Sequence, residues 1–107
     1  MDLRTQLTTV AGLPTVTVEG VVDLASIAVL RDALLRAVHA NPAIMVMVDV
    51  DAVTAIDDAG LGILLGAAAA ARQAEGDLEI VCSADRLRLR LERTRLDRAI
   101  TVRRTIN

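Results

Sequence analysis

The stretch from Ile44 to Arg72 constrains this chain more than any other, because it reads as a buried strand leading through an acidic turn into a helix. The apolar run Ile44-Met45-Val46-Met47-Val48 is short and rich in β-branched side chains, as a buried strand requires, and it ends in Asp49 and Asp51. In the helix that follows, Leu61, Leu64, Leu65 and Ala68 recur at three- and four-residue steps, and the Ala67–Ala71 run has the highest helix propensity available. Between them, Ile56-Asp57-Asp58-Ala59-Gly60-Leu61-Gly62 puts two carboxylates at the helix start, where unpaired N–H groups and the helix dipole favour negative charge. The turn is suited to an anion, as a cap or as something more.

Composition removes several functions. With no Phe, Tyr or Trp and a net charge of −2, the chain has no platform on which a base could stack and no basic field for phosphates, so no nucleic acid is expected as partner. All twelve basic residues are arginine, which removes Schiff-base chemistry and lysine-assisted phosphoryl transfer; the chain reads as a non-enzyme. His39 has no second ligand at metal spacing, so neither metal nor cofactor is implied. The lone Cys82 lies in the apolar run Leu78–Cys82 and reads as a small buried side chain. No apolar run approaches the roughly 18–20 residues of a membrane span, and Met1-Asp2-Leu3-Arg4 does not open a signal peptide. The expectation is one domain over residues 1–107, without membrane insertion, in the cytoplasm.

Along the chain, Leu3–Val10 and the alternating Thr15-Val16-Thr17-Val18-Glu19 flank the turn Ala11-Gly12-Leu13-Pro14 and predict a hairpin. Ile27, Leu30, Leu34 and Val38 then mark a helix that Asn41-Pro42 stops, with Asp23 or Ser26 as cap and Asp32 placed to pair with Arg36. After the central strand and helix, Gly76-Asp77 turns into a strand Leu78–Cys82. Ser83 is placed to cap a short Arg-rich helix from Asp85 to Thr94, with Leu87 and Leu91 inward, and Ile100-Thr101-Val102 offers an edge strand. The order β-β-α-β-α-β-α-β predicts an α/β fold with a mostly parallel, mixed sheet packed against helices.

Several candidate sites have plain structural explanations. Asp49-Val50-Asp51-Ala52-Val53 resembles the first motif of haloacid-dehalogenase-type phosphatases, but that chemistry, like that of response-regulator receivers, needs a lysine this chain lacks. Solvated carboxylates at a strand end are the better reading. The six arginines from Arg86 to Arg98 read as a solvated helix face, and Gly62 and Gly66 as a bare stripe for close packing of helix on sheet.

The turn fits a wider pattern. Val48 to Gly62 resembles the signature of the STAS-domain anti-sigma factor antagonists, a strand ending in an acidic residue and then Asp-Ser-Ser/Thr-Gly-Leu-Gly opening a helix. Gly20-Val21-Val22-Asp23-Leu24 is similar to that family's Gly-Glu-Leu/Ile-Asp-Leu, and Gly76-Asp77-Leu78-Glu79-Ile80-Val81 to its fourth strand. The resemblance implies a single STAS domain acting as a partner switch. The antagonist binds an anti-sigma factor, often a serine kinase, and so frees a sigma factor; phosphorylation of the hydroxyl after the signature Asp dissociates the pair. It assigns a partner-binding role to Asp23, Asp57, Asp58, Ala59, Gly60, Leu61 and Gly62, in a monomer or weak dimer.

This chain departs from the pattern at the switch itself. Asp58 stands at the phospho-acceptor position and Ala59 follows it; the nearest hydroxyl is Thr54. A carboxylate carries about −1, half to two thirds of a phosphate's charge. A partner shaped for a hydroxyl that had to desolvate that carboxylate unpaired would lose about 2–5 kcal/mol, roughly 30- to several-thousand-fold in affinity. The expectation is therefore a phosphorylation-insensitive antagonist whose partner supplies a compensating cation, or else a decoy held in the phospho-like state. The alternative is a STAS subunit of a lipid or anion transport system, or a module that binds a small ligand or nucleotide.

Overall fold

Among the described residues, five strands form one sheet in the order β1-β2-β3-β4-β5, the order of the sequence itself. The computed structural model describes residues 2–106; Met1 and Asn107, the ends of the expected domain, lie outside the described residues. The elements are β1 (Arg4–Val10), β2 (Leu13–Val22), α1 (Ile27–Ala40), β3 (Met45–Ile56), α2 (Asp58–Gln73), β4 (Asp77–Val81), α3 (Asp85–Arg93), α4 (Leu96–Ala99) and β5 (Val102–Arg103). β1 and β2 are antiparallel, joined at Ala11-Gly12, both with positive φ (51° and 80°) as the tight turn of a twisted hairpin demands. Every later pair is parallel, so each connection carries helix.

Alternation decides what is buried. Val16 and Val18 of β2, Val46 and Val48 of β3, and Leu78 and Ile80 of β4 join Leu30 and Leu34 of α1, Leu64 and Ala68 of α2, and Leu87 and Leu91 of α3 in one core. The core holds no aromatic side chain, and fully burying a leucine or valine is worth about 1.5–3 kcal/mol. Cys82 sits in it, fully buried as its apolar neighbours suggested; burial, reinforced by the charge of Asp51, pushes its thiol pKa up.

The structure corrects the sequence reading at several points. The central strand does not end at Asp49 but runs to Ile56, because Val50, Val53 and Ile56 also turn inward and β2 continues beside it to Val22↔Ile56. β2 follows by slipping register at two places, one of them at Gly20, whose φ of +112° suits glycine. Asp49 and Asp51 are therefore mid-strand. Asp49 Oδ1 accepts from the Asp51 amide at 3.0 Å, and Asp51 Oδ1 accepts from the Ser83 amide at 2.5 Å, fastening the loop after β4.

A fourth helix, α4, intervenes before the last strand, which is only Val102–Arg103, held beside β4 partly by the Arg103–Glu79 ion pair. Neither Asp23 nor Ser26 caps α1 through its side chain, and Ser83 does not cap α3, whose N-cap is Ala84. Ser26 Oγ instead donates to the Val21 carbonyl at 2.9 Å and accepts from the Asp23 amide at 3.0 Å, closing the β2–α1 turn on itself. Asp32 and Arg36 form no ion pair, and Leu65 is exposed, its inward place taken by Ala67 and Ala71.

Candidate functional site

β2 and β3 run parallel and stop together, so the residues that follow them meet at one end of the sheet. Val22 pairs with Ile56, and the Asp57 amide donates to the Val22 carbonyl at 3.0 Å, which sets Asp23 beside the acidic turn. Asp23 is half-buried and shapes its own loop, Oδ1 accepting from the Ala25 amide at 3.1 Å; Leu24, next to it, is 76% exposed.

The two acidic residues of the turn do different work. Asp57 is the N-cap of α2, in extended backbone, its Oδ1 accepting from the Gly60 amide at 3.0 Å and its carbonyl from Leu61 at 3.1 Å. Such a cap is worth about 1 kcal/mol. Asp58 is the first helical residue; its side chain is 93% exposed and caps nothing.

Asp58 has a partner that sequence reasoning missed. Arg90 of α3 reaches across from 32 residues away, Nη2 donating to Asp58 Oδ1 at 3.2 Å while Nε donates to the Ile56 carbonyl at 2.7 Å. The exposed ion pair alone contributes at most about 1 kcal/mol. The bond from the guanidinium to the strand-end carbonyl is the firmer half, about 1.5–3 kcal/mol for a charged donor. One planar fork thus ties α3 to the last residue of β3 and to the carboxylate two residues on. Arg90 adjoins Leu91 at the border of the buried face of α3, a placement that leaves its reach open and carries no sequence signal toward Asp58.

The remaining turn residues divide by direction. Gly60 and Leu61 point inward; a Cβ on Gly60 would lie 2.8 Å from Ile56 Cγ1 and closer still to Val22. Only glycine lets the first turn of α2 lie this close to the strand ends. Ala59 is half-buried and Gly62 exposed. A Cβ on Gly62 or Gly66 would meet nothing within 4 Å, so the bare stripe does not pack on the sheet. It lies instead on the outer surface, where Gly62, Ile63, Gly66 and Ala67 of α2 face Arg31 and Leu35 of α1 across an apolar groove of about 190 Å³. Thr54, the nearest hydroxyl, donates to the Gly20 carbonyl at 3.3 Å. Among the described residues, no three His, Cys, Asp or Glu side chains converge as a metal ion would need.

Residues 4–107 match the STAS domain family. A comparison with curated protein sequences gives no match. Among solved structures, the chain is similar to an anti-sigma factor antagonist from Mycobacterium paratuberculosis, with a TM-score of 0.86 at 23% identity, covering 98% of this chain and 88% of that one. It is also similar to the anti-sigma factor antagonist SpoIIAA in its unphosphorylated form, with a TM-score of 0.70 at 17% identity, covering 92% and 87%. The murine anion transporter Slc26a9 contains a comparable region, with a TM-score of 0.77 at 12% identity, covering 98% of this chain but 21% of the transporter. At these identities the likeness is one of fold.

Proposed function

The chain belongs to the STAS domain family, and from that premise we propose that it is a non-enzymatic partner-switching regulator: it binds an anti-sigma factor and thereby frees a sigma factor. The observation that carries this reading is the exposed Asp58 carboxylate on the first turn of α2, where the family resemblance puts the phospho-acceptor. Two structural relatives of different sequence bear the name anti-sigma factor antagonist. The docking surface would comprise Asp58, Ala59 and Gly62 with Asp23 and Leu24 alongside, while Asp57, Gly60 and Leu61 hold the turn in shape from within. Its setting would be the bacterial cytoplasm; no described helix is long and apolar enough to cross a membrane.

In this reading the switch is fixed, since the turn offers no hydroxyl to a kinase. Arg90 changes the cost of docking. A partner need not bury a bare carboxylate, because a guanidinium of the same chain already faces it, and the 2–5 kcal/mol penalty of an unpaired charge is correspondingly reduced. The chain's own arginine thus takes over the part that a basic residue on the partner would otherwise play.

The test compares the wild-type chain with Asp58→Ser in titrations against the host's anti-sigma factors, followed by incubation with each kinase-type partner and ATP. The wild type should bind at least one anti-sigma factor and stay bound, taking up no phosphate at this turn; Asp58→Ser should be released when phosphorylated. Equal affinity and equal indifference to ATP in both forms would remove Asp58 from the mechanism. A second reading, a STAS subunit of a transport system, rests on the likeness to the Slc26a9 region. Copurification of a transporter from the native host, with no anti-sigma factor retained, would favour it.

A further inference from the structure

We propose that the cavity between the end of β3 and α3 is a binding site for a small amphiphilic anion, and that the bound anion draws Arg90 away from Asp58. The cavity holds about 230 Å³ and is lined by residues 53–56 of β3 and by Ala84, Arg86, Leu87 and Arg90 around α3. Its floor is apolar, built from Val53, Ile56 and Leu87, all buried. Its mouth is cationic. The Arg86 guanidinium has no hydrogen bond or ion pair among the described residues, and Arg90 contributes a second guanidinium beside it. The neighbouring Asp85 is answered elsewhere, by Arg104 at 3.3 Å, which leaves Asp58 as the carboxylate that competes for Arg90.

An apolar floor beneath two guanidiniums selects an anionic head with a short apolar tail, such as an alkyl phosphate or a short carboxylate. At about 30 Å³ for each water-sized unit, the space takes roughly eight non-hydrogen atoms. A diacyl lipid is far too large. The fragment-sized cavity implies affinity of roughly millimolar order.

The link to Asp58 follows from the geometry of Arg90. Its Nε stays on the Ile56 carbonyl, at the cavity wall, while Nη2 holds Asp58 through a weak exposed pair that an anion seated between Arg86 and Arg90 outcompetes. Occupancy uncovers the Asp58 charge. Where phosphorylation would add a negative charge to the turn, here a ligand would unmask one already encoded. The effect on a protein partner rests on the antagonist reading, but the site does not.

The experiment is a nuclear magnetic resonance titration of the ¹⁵N-labelled full chain, which suits a protein without aromatic side chains, using butyl phosphate, inorganic phosphate and butanol as probes. Butyl phosphate should shift the amides of residues 53–56 and 84–90 together with the Arg90 Nε–H and the Asp58 amide, and do so at lower concentration than either other probe. Arg86→Gln should weaken binding at least about fivefold. Asp58→Ser should tighten it about two- to fivefold, the fold-change that a surface ion pair is worth, and Arg98→Gln should leave it unchanged.

Equal shifts from inorganic phosphate, shifts spread over all arginines, or no saturable shift at all would overturn the site. Binding that Asp58→Ser leaves unchanged or weakens would overturn the competition for Arg90. Because no partner protein is present, any of these failures leaves the antagonist reading standing.

Discussion

The passage from β3 into α2 and the passage from α3 to β5 are built in opposite ways. In the first, the defining contacts are local: Asp57 caps Gly60 three residues on, and the Asp57 carbonyl takes the Leu61 amide four residues on. In the second, arginines reach far along the chain. Arg90 bonds Ile56 and Asp58, Arg103 bonds Glu79 and Arg104 bonds Asp85, while Arg72 of α2 meets this passage from the other side at the Ala99 carbonyl, 2.6 Å away. The difference teaches why a chain without lysine can still be well fastened. A guanidinium fork serves two acceptors at once, as Arg72 does with Asp77 and Ala99 and Arg90 with Asp58 and Ile56, which an ammonium on a flexible stem does poorly.

The contrast breaks first if α3 proves to be held by its arginines alone. Leu91 is buried in the common core, so Leu91→Ala should cost about 2–5 kcal/mol in urea unfolding, as for any well-packed leucine. A loss below about 1 kcal/mol would mean that α3 rides on the surface rather than in the core.

The local region is sharpened by its glycines, which should respond with opposite sign. Gly60→Ala forces a Cβ against Val22 and Ile56 and should destabilise by about 1–3 kcal/mol. Gly62→Ala meets open space in a helix and should stabilise by about 0.5–1 kcal/mol. If Gly62→Ala nevertheless weakens partner binding, the groove beside it belongs to the docking surface. Thermal melting read alongside affinity separates the two effects.

The acidic pair should divide in the same manner. Asp57→Ala removes a cap and should cost about 1 kcal/mol, whereas Asp58→Ala should change stability by less than about 0.5 kcal/mol, its pair being exposed. Equal losses would erase the distinction between scaffold and signal. Across the two passages, Arg90→Lys should lower stability by about 1 kcal/mol, since an ammonium keeps the charge without spanning both the Ile56 carbonyl and Asp58. Full retention would show that charge, not the fork, does the fastening.

The smallest effect concerns Cys82. Its folded pKa is raised, so the folded chain holds this proton more firmly than the unfolded one. The contribution is complete below the unfolded value of about 8.5 and is lost as pH climbs from there through the raised folded value. Stability should therefore decline slightly above about pH 8.5, and Cys82→Ala should abolish that decline. Below that range, thiol reagents should modify Cys82 only on unfolding.

By itself the sequence determined what short-range rules can encode: the α/β alternation, the buried strand, the start of α2, Cys82 in the core and a carboxylate at position 58. The three-residue spacing from Asp57 to Gly60 is the cap, and no tertiary contact is needed to read it. Tertiary structure alone decided where β3 ends, because Asp49 and Asp51 look like a strand's end until β2 is seen pairing beyond them. It decided which way the glycines face and, above all, that Arg90 answers Asp58. That meeting exists only once the parallel crossovers bring α3 alongside the end of β3, and nothing in the local spacing of either segment records how far a guanidinium will reach.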